Sequence, residues 1–402
     1  MSSSVRIGII AWVTSIPQPI CTSSWMLDPD ITYLNHASFG ARTVEVYEAQ
    51  QRYKRQFEAS PVNFLDRNRH LIENARETVA HFIGADVDGF GFVENATTGV
   101  GCVIQSLNVN EGDEIVTTDH VYNGVRQLLQ HYASQHSLRY TEVSIPLPLD
   151  NNQDILNRIA AAITSHTKLL VVDHVASASS IVFPIQQIVQ LCREKGVLIL
   201  VDGAHAPGML ALDVLAVDAD WYVGNLHKWV CAPVGAGFLW ANESKRASTH
   251  PMTISHWLNQ GFTKEFDWQG TRDVSSWLAA ADAVRWGESI GWDNIRDHNH
   301  KFVTWMHESL VTDWDVEPLS PIDGRMLGSM ATVVLPSGGP QSMEDCLALR
   351  DVFYEKYALE VPIFEFQGKG VLRVSAQLYA REEHVEALKM AIKQQNFKSK
   401  AN

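Results

Sequence analysis

From about residue 70 the chain alternates two apolar patterns. Residues 71–83 place apolar side chains on a helical period and stop at Gly84, as a helix ended by a glycine does. Short apolar runs follow at 89–93, 114–118 and 168–172, the last apolar throughout its centre, which predicts a strand covered on both faces. Helical segments separate them: one capped by Asn95, one running through Leu128 and Leu129, and one at 185–194 leading into a strand that ends at Asp202. A glycine-rich run at 234–240 predicts another strand. The alternation implies a mainly parallel sheet with helices on both faces. After about residue 290 the order becomes helix 300–310, strand 329–335, helix 343–357, strand 371–375 and helix 382–394, which suits a smaller α+β domain. The expected division is an N-terminal arm over 1–27, a large domain over 28–288 and a small domain over 289–402.

Composition narrows the class. A chain of 402 residues with 46% hydrophobic and 19% charged residues has the makings of a sizeable soluble core. A formal charge of -14 without a basic run excludes general nucleic-acid binding; only Lys398 and Lys400 near the end are locally basic. Five cysteines without a CxxC pair fit a reducing compartment, and the cytosol is expected. The apolar stretch at 7–13 is too short to span a bilayer and is read as part of a loose or docked arm. No repeat or low-complexity segment interrupts the chain, and no membrane partner is expected.

Polar residues recur where the strands end: Glu94-Asn95-Ala96-Thr97, Asp119-His120, Asp173-His174, Asp202 with His205, and His227-Lys228. Ligands of open α/β sheets gather at that edge. A carboxylate at a strand's end, followed one strand later by a lysine, suits pyridoxal phosphate. The lysine condenses with the aldehyde, and the acid keeps the pyridine nitrogen protonated so that the ring accepts electrons. An enzyme of amino-acid chemistry is therefore expected. The histidines and aspartates at these ends also permit a metal-hydrolase reading, but no short ligand spacing such as HExxH occurs and Lys228 would have no task. No GxGxxG opens a strand–helix turn, which disfavours a dinucleotide site.

The segments Asp202-Gly203-Ala204-His205-Ala206-Pro207-Gly208 and Asn225-Leu226-His227-Lys228 resemble the class V aminotransferases. Tyr33-Leu34-Asn35-His36-Ala37-Ser38-Phe39-Gly40, Asn95-Ala96-Thr97-Thr98 and Leu372-Arg373-Val374-Ser375-Ala376-Gln377-Leu378-Tyr379 are similar to the isopenicillin N epimerase-like branch. The resemblance implies fold type I of the pyridoxal-phosphate enzymes, with a seven-stranded, mainly parallel sheet and a homodimer. It implies that Lys228 holds the cofactor and moves the Cα proton, that Asp202 pairs with the pyridinium, and that Ala96, Thr97, Asn225 and His227 serve the phosphate. Thr271 resembles the threonine that reaches the phosphate from the partner subunit. Tyr122 fits the stacking position better than His120 does, and its hydroxyl is a proton carrier for a leaving group. His205 matches a position touching the ring hydroxyl. Arg373 is the expected carboxylate anchor, with Asn35 and His36 lining the substrate side and Arg67 approaching from the partner.

Family membership leaves transamination, desulfuration, β-elimination and epimerisation open. The segment 360–370 lacks the loop cysteine of the desulfurases, and Cys346 falls within an expected helix, which disfavours a persulfide route. The expected reaction is β-elimination at a carbon–sulfur bond of a cysteine-type or specialised substrate. Epimerisation at Cα is the alternative.

Overall fold

The computed structural model describes residues 16–17, 20, 24–67, 69–395 and 397. Most of the expected arm, including the stretch at 7–13, and the basic residues Lys398 and Lys400 lie outside the described residues. Strand β1 (Thr32–Tyr33) pairs away from the main sheet. The main sheet comprises β2 (Phe90–Val93), β3 (Glu114–Thr118), β4 (Arg139–Val143), β5 (Thr167–Asp173), β6 (Leu198–Gly203), β7 (Trp221–Asn225) and β8 (Gly237–Ala241). Its order is β2-β8-β7-β6-β5-β3-β4. The run from β7 to β4 is parallel, and β8 lies antiparallel to both its neighbours.

Period-two alternation within the apolar strands supplies both faces of this sheet. Leu169 and Val171 of β5 enter one hydrophobic cluster with Leu200, Val223 and Leu239. Leu170 and Val172 enter another with Val201, Tyr222 and Phe238. A third cluster joins the helix Trp292–Trp314, through Phe302 and Met306, to a second sheet. That sheet contains β9 (Met330–Val334), β11 (Ile363–Phe366) and β12 (Lys369–Ser375) in the antiparallel order β11-β12-β9, while β10 (Leu359–Glu360) pairs with β1. The α/β architecture with a smaller α+β part is the one expected.

Several elements coincide with the sequence reading, among them β3 and the helices Met343–Tyr357 and Glu382–Gln394. The helix expected at 300–310 is longer, running from Trp292 to Trp314. The helices Val44–Ala59 and Ser275–Ile290 and the strand β4 were not anticipated.

The parallel strands deliver their ends to one edge, and close packing there is specific. Across β5 and β6, Asp173 is the register partner of Asp202. The next residue, Gly203, faces β7 so closely that an added Cβ would lie 2.2 Å from the Tyr222 ring and 2.3 Å from its hydroxyl. That ring is fully buried, and its hydroxyl is tied to His174 Nδ1 at 2.7 Å. Replacement Gly203→Ala is expected to destabilise the fold by about 1–3 kcal/mol, the usual range for overpacking. A urea unfolding curve checks it, and an unchanged midpoint would mean that the Tyr222 ring yields freely.

Candidate active site

Lys228 follows β7 in a tight loop braced from the N-terminal segment. The Gly40 N–H donates to the His227 carbonyl, and an added Cβ at Gly40 would lie 2.2 Å from the Lys228 carbonyl oxygen. His36 supports the same carbonyl. Its Nε2 lies 3.0 Å from Lys228 O, while Nδ1 receives the Ala41 N–H at 3.2 Å and meets the Tyr379 hydroxyl at 3.1 Å. This pattern places the ring proton on Nε2. Burial holds the His36 pKa down at about 3, so the ring is neutral. His36 was expected to line the substrate side; it is instead fully buried beside Trp229, their rings 5.0 Å apart, and steadies the lysine's backbone.

The lysine's amine lies 3.1 Å from His205 Nε2, and Trp229 Nε1 donates to His205 Nδ1 at 3.4 Å. The indole bond leaves the imidazole proton on Nε2, facing the amine. Burial, and then the charges of Lys228 and Arg373, keep His205 well below the usual histidine range. Burial and then the charge of Arg373 bring the Lys228 pKa down to about 7, against the opposing pull of Asp202 and Asp173. The result is an amine that is substantially neutral near physiological pH, as a nucleophile and proton acceptor requires.

Asp202 is buried and accepts the Ala204 N–H at 3.0 Å. Beside it on β5 sits Asp173, also buried, whose Oδ2 has no hydrogen-bond partner. Burial raises both pKa values, that of Asp173 further through the neighbouring Asp202 charge. Two adjacent buried carboxyls do not both ionise readily, so this pair is a proton-holding unit next to the amine. The sequence reading placed Asp173 among the strand-end polar residues but assigned it no role; the strand register was the missing information.

At the end of β2, Asn95 caps the helix Ala96–Gln105 by accepting the Thr98 N–H at 2.9 Å. Asn225 Oδ1 accepts the Ala96 N–H at 2.8 Å. Among the described residues the Thr97 N–H is left without a partner in this first turn, where anions are readily held. His227 Nδ1 bonds the Ala236 carbonyl at 3.0 Å, and burial lowers its pKa to about 4.

A cavity of about 570 Å³ is lined by Ser38, Tyr122, Ser177 and Arg373 among others, but not by Lys228, Asp202 or His205. Arg373 of β12 lies at its wall, donating through NH1 to Ser177 O at 2.8 Å and Ser177 Oγ at 2.9 Å, and through NH2 to Ser38 Oγ at 2.9 Å. Its Nε carries no protein partner. Burial lowers its pKa only to about 10, so it stays cationic. Tyr122 lines the cavity and is 49% exposed, whereas His120 is fully buried with both nitrogens engaged, to Ile145 O and Ser179 Oγ. Asn35 is partly buried with an unpartnered Oδ1.

Thr271 is exposed; its neighbours Gly270 and Arg272 line a separate cavity of about 720 Å³, and Arg272 also bonds Glu94. The Arg67 side chain lies outside the described residues.

A mostly parallel seven-stranded sheet with a buried lysine, a buried acid and a helix N-terminus that leaves the Thr97 N–H unpartnered at one edge defines a pyridoxal-phosphate-dependent enzyme of fold type I. The profile of the family described as "Aminotransferase class-V" matches residues 32–388, and the chain belongs to that family. It is 31% identical to a probable chloroplastic L-cysteine desulfhydrase of Arabidopsis thaliana, over 91% of this chain and 83% of the relative. Isopenicillin N epimerase of Amycolatopsis lactamdurans is 30% identical over 92% of this chain and 96% of its own. Among solved structures, a cystine C–S lyase bound to cysteine persulfide superposes with a TM-score of 0.77 at 19% identity, covering 90% of this chain and 97% of the other. The apo cysteine desulfurase of Thermococcus onnurineus NA1 gives 0.76 at 22%, covering 91% and 94%. These two likenesses concern the fold.

Only the neutral amine reacts with an aldehyde, so uptake of pyridoxal phosphate by the cofactor-free protein should accelerate as pH rises through about 7 and level off above it. Stopped-flow absorbance across pH 5.5 to 9.5 measures this; a rate still climbing about tenfold per pH unit at 9.5, as for an ordinary lysine, would contradict the depressed pKa.

Proposed function

We propose that the protein is a carbon–sulfur β-lyase acting on a cysteine-type amino acid. The observation carrying this reading is the buried Lys228 amine beside His205 and the Asp202–Asp173 pair, its pKa lowered to about 7 by burial and by Arg373, which walls a cavity of about 570 Å³. When bound, pyridoxal phosphate draws electrons from the substrate's Cα. In this reading Asp202 holds a proton at the pyridine nitrogen, and His205 faces the ring hydroxyl. Asn225, His227 and the Ala96–Thr97 turn hold the phosphate, while Tyr122 covers the ring. Asn35 lines the substrate side. Thr271, exposed beside the second cavity, serves the phosphate of a partner copy, which makes the enzyme a homodimer. Cys102, Cys192 and Cys346 are buried as free thiols, which supports a reducing, cytosolic setting.

The substrate carboxylate docks on Arg373, whose plane the Ser177 and Ser38 bonds hold in place. Lys228 then takes the Cα proton. In this reading the Cβ–S bond breaks, sulfur leaves with the bonding pair, and the Tyr122 hydroxyl supplies its proton. The released enamine reacts with one water to give pyruvate and ammonium. One conjugate and one water thus yield one thiol, one pyruvate and one ammonium. The desulfhydrase relatives support this outcome. A persulfide route is disfavoured: residues 360–370 contain no cysteine, and Cys346 is buried in the helix Met343–Tyr357, its thiol pKa raised chiefly by burial. The epimerase relative supports the second reading, reprotonation of Cα from the opposite face with sulfur retained.

Incubation with L-cysteine and S-alkylcysteines should release thiol and pyruvate in equal amounts; inversion at Cα without pyruvate would sink the lyase reading in favour of the epimerase. Lys228→Ala should lower kcat by about 10²–10⁴-fold, and borohydride reduction should label Lys228 in the parent protein. Arg373→Lys should raise KM by about 10- to 100-fold, the equivalent of about 1.5–3 kcal/mol for a charged hydrogen bond.

A further inference from the structure

The hairpin between β11 and β12 turns on two residues, Gln367 and Gly368, with Phe366 and Lys369 as its last pair. Both turn residues have positive φ, +48° and +76°. Two-residue turns of this geometry favour Asn-Gly, because a short side-chain amide tolerates the left-handed region. Glutamine is a poor occupant on local grounds. Its amide is nonetheless fully engaged. Oε1 accepts the Leu147 N–H at 3.2 Å, and Nε2 donates to Ile145 O at 2.9 Å and to Asp119 Oδ2 at 3.2 Å. These partners lie just beyond the ends of β3 and β4, and Asp119 and His120 there line the same cavity as Gln367. The residues before the turn, Phe364, Glu365 and Phe366, line the same 570 Å³ cavity as Tyr122 and Arg373. Phe366 also meets the His120 ring edge-on at 5.2 Å.

We propose that Gln367 is a positioning residue that clamps this hairpin to the strand-end loops and thereby sets the outer wall of the cleft for a substrate with a bulky substituent on sulfur. The inference rests on the reading of this cleft as the substrate site. Phe364 and Phe366 give the cavity an aromatic wall apart from the Arg373 anchor, an apolar surface suited to a substituent larger than a thiol. With the α-carboxylate on Arg373, the substituent extends toward the Phe364 and Phe366 rings. A small amino acid does not reach that wall.

The clean variant is Q367N, which suits the turn's backbone and keeps an amide but is one methylene too short to reach Ile145 and Leu147; Q367G is the second, also matched to the turn. Hydrogen–deuterium exchange in the holoenzyme should quicken by about tenfold or more over residues 145–147 and 363–369 in both variants, as for local opening without global unfolding. Calorimetric titration of the same holoenzymes uses L-alanine and 2-amino-5-phenylpentanoic acid, the carbon isostere of S-benzylcysteine with no sulfur to expel. The Kd of the bulky ligand should rise about tenfold while that of alanine changes less than twofold, the pattern of a lost wall rather than a lost anchor. Unchanged exchange, or faster exchange with both affinities unaltered or equally weakened, overturns the proposal. Pyruvate release from S-benzylcysteine by the parent enzyme tests the lyase reading separately, since neither titrated ligand needs to react.

Discussion

The site depends on burying one amine beside two carboxyls in a single layer at the edge of a parallel sheet. Each group alone would be driven to its uncharged form, because an isolated buried charge costs several kcal/mol. Together they partly offset one another: the acids pull the Lys228 pKa up, while burial and Arg373 pull it down, and the balance falls at about 7. That balance is geometric. Asp173 and Asp202 are side by side because β5 and β6 are paired in parallel register, and Lys228 arrives because β7 runs parallel to β6 and stops three residues before it. Gly203 lets these strands close without a side chain in the way of Tyr222.

The amine must also be held still, and the chain does this from a distance in sequence. His36 and Gly40 lie nearly two hundred positions before the lysine, yet both contact the backbone of its loop. A neutral histidine suits this task. A protonated ring at His36 would add a third cation near Lys228 and Arg373, and burial prevents it. His205, oriented by Trp229, is kept neutral for the same reason and leaves its N–H toward the amine. Neutral imidazoles thus surround the lysine without raising the electrostatic cost of the Arg373 cation.

Much of this architecture was legible in the pattern of apolar residues. Strands buried on both faces, such as β5, announce themselves as unbroken apolar runs, and the helices Met343–Tyr357 and Glu382–Gln394 have clear boundaries. The helix Ser275–Ile290 escaped because it is buried on nearly every side, so its apolar residues carry little helical period. The strand β4, at the sheet edge, alternates half-exposed polar residues that resemble a loop. In the candidate site, Asp202 and Lys228 stand out in the sequence because one lies at the end of an apolar strand, β6, and the other just after β7. The inward turn of His36, the pairing of Asp173 with Asp202 and the engagement of Gln367 follow from register and from contacts between distant segments, which no local spacing encodes.

The hairpin between β11 and β12 bears on what this copy of the fold does with sulfur. A segment that ferries sulfur from substrate to acceptor needs a thiol and room to swing. Here the segment has neither: residues 360–370 lack cysteine, the turn has only two residues, and its glutamine is bonded to the loops beyond β3 and β4. Such a wall contributes shape rather than chemistry. With no cysteine in this hairpin to accept it, sulfur freed from Cβ in the proposed elimination would depart as a small molecule, its substituent recognised while still attached. The geometry that disfavours desulfuration is therefore the same geometry that gives an eliminating enzyme a means of selecting its leaving group.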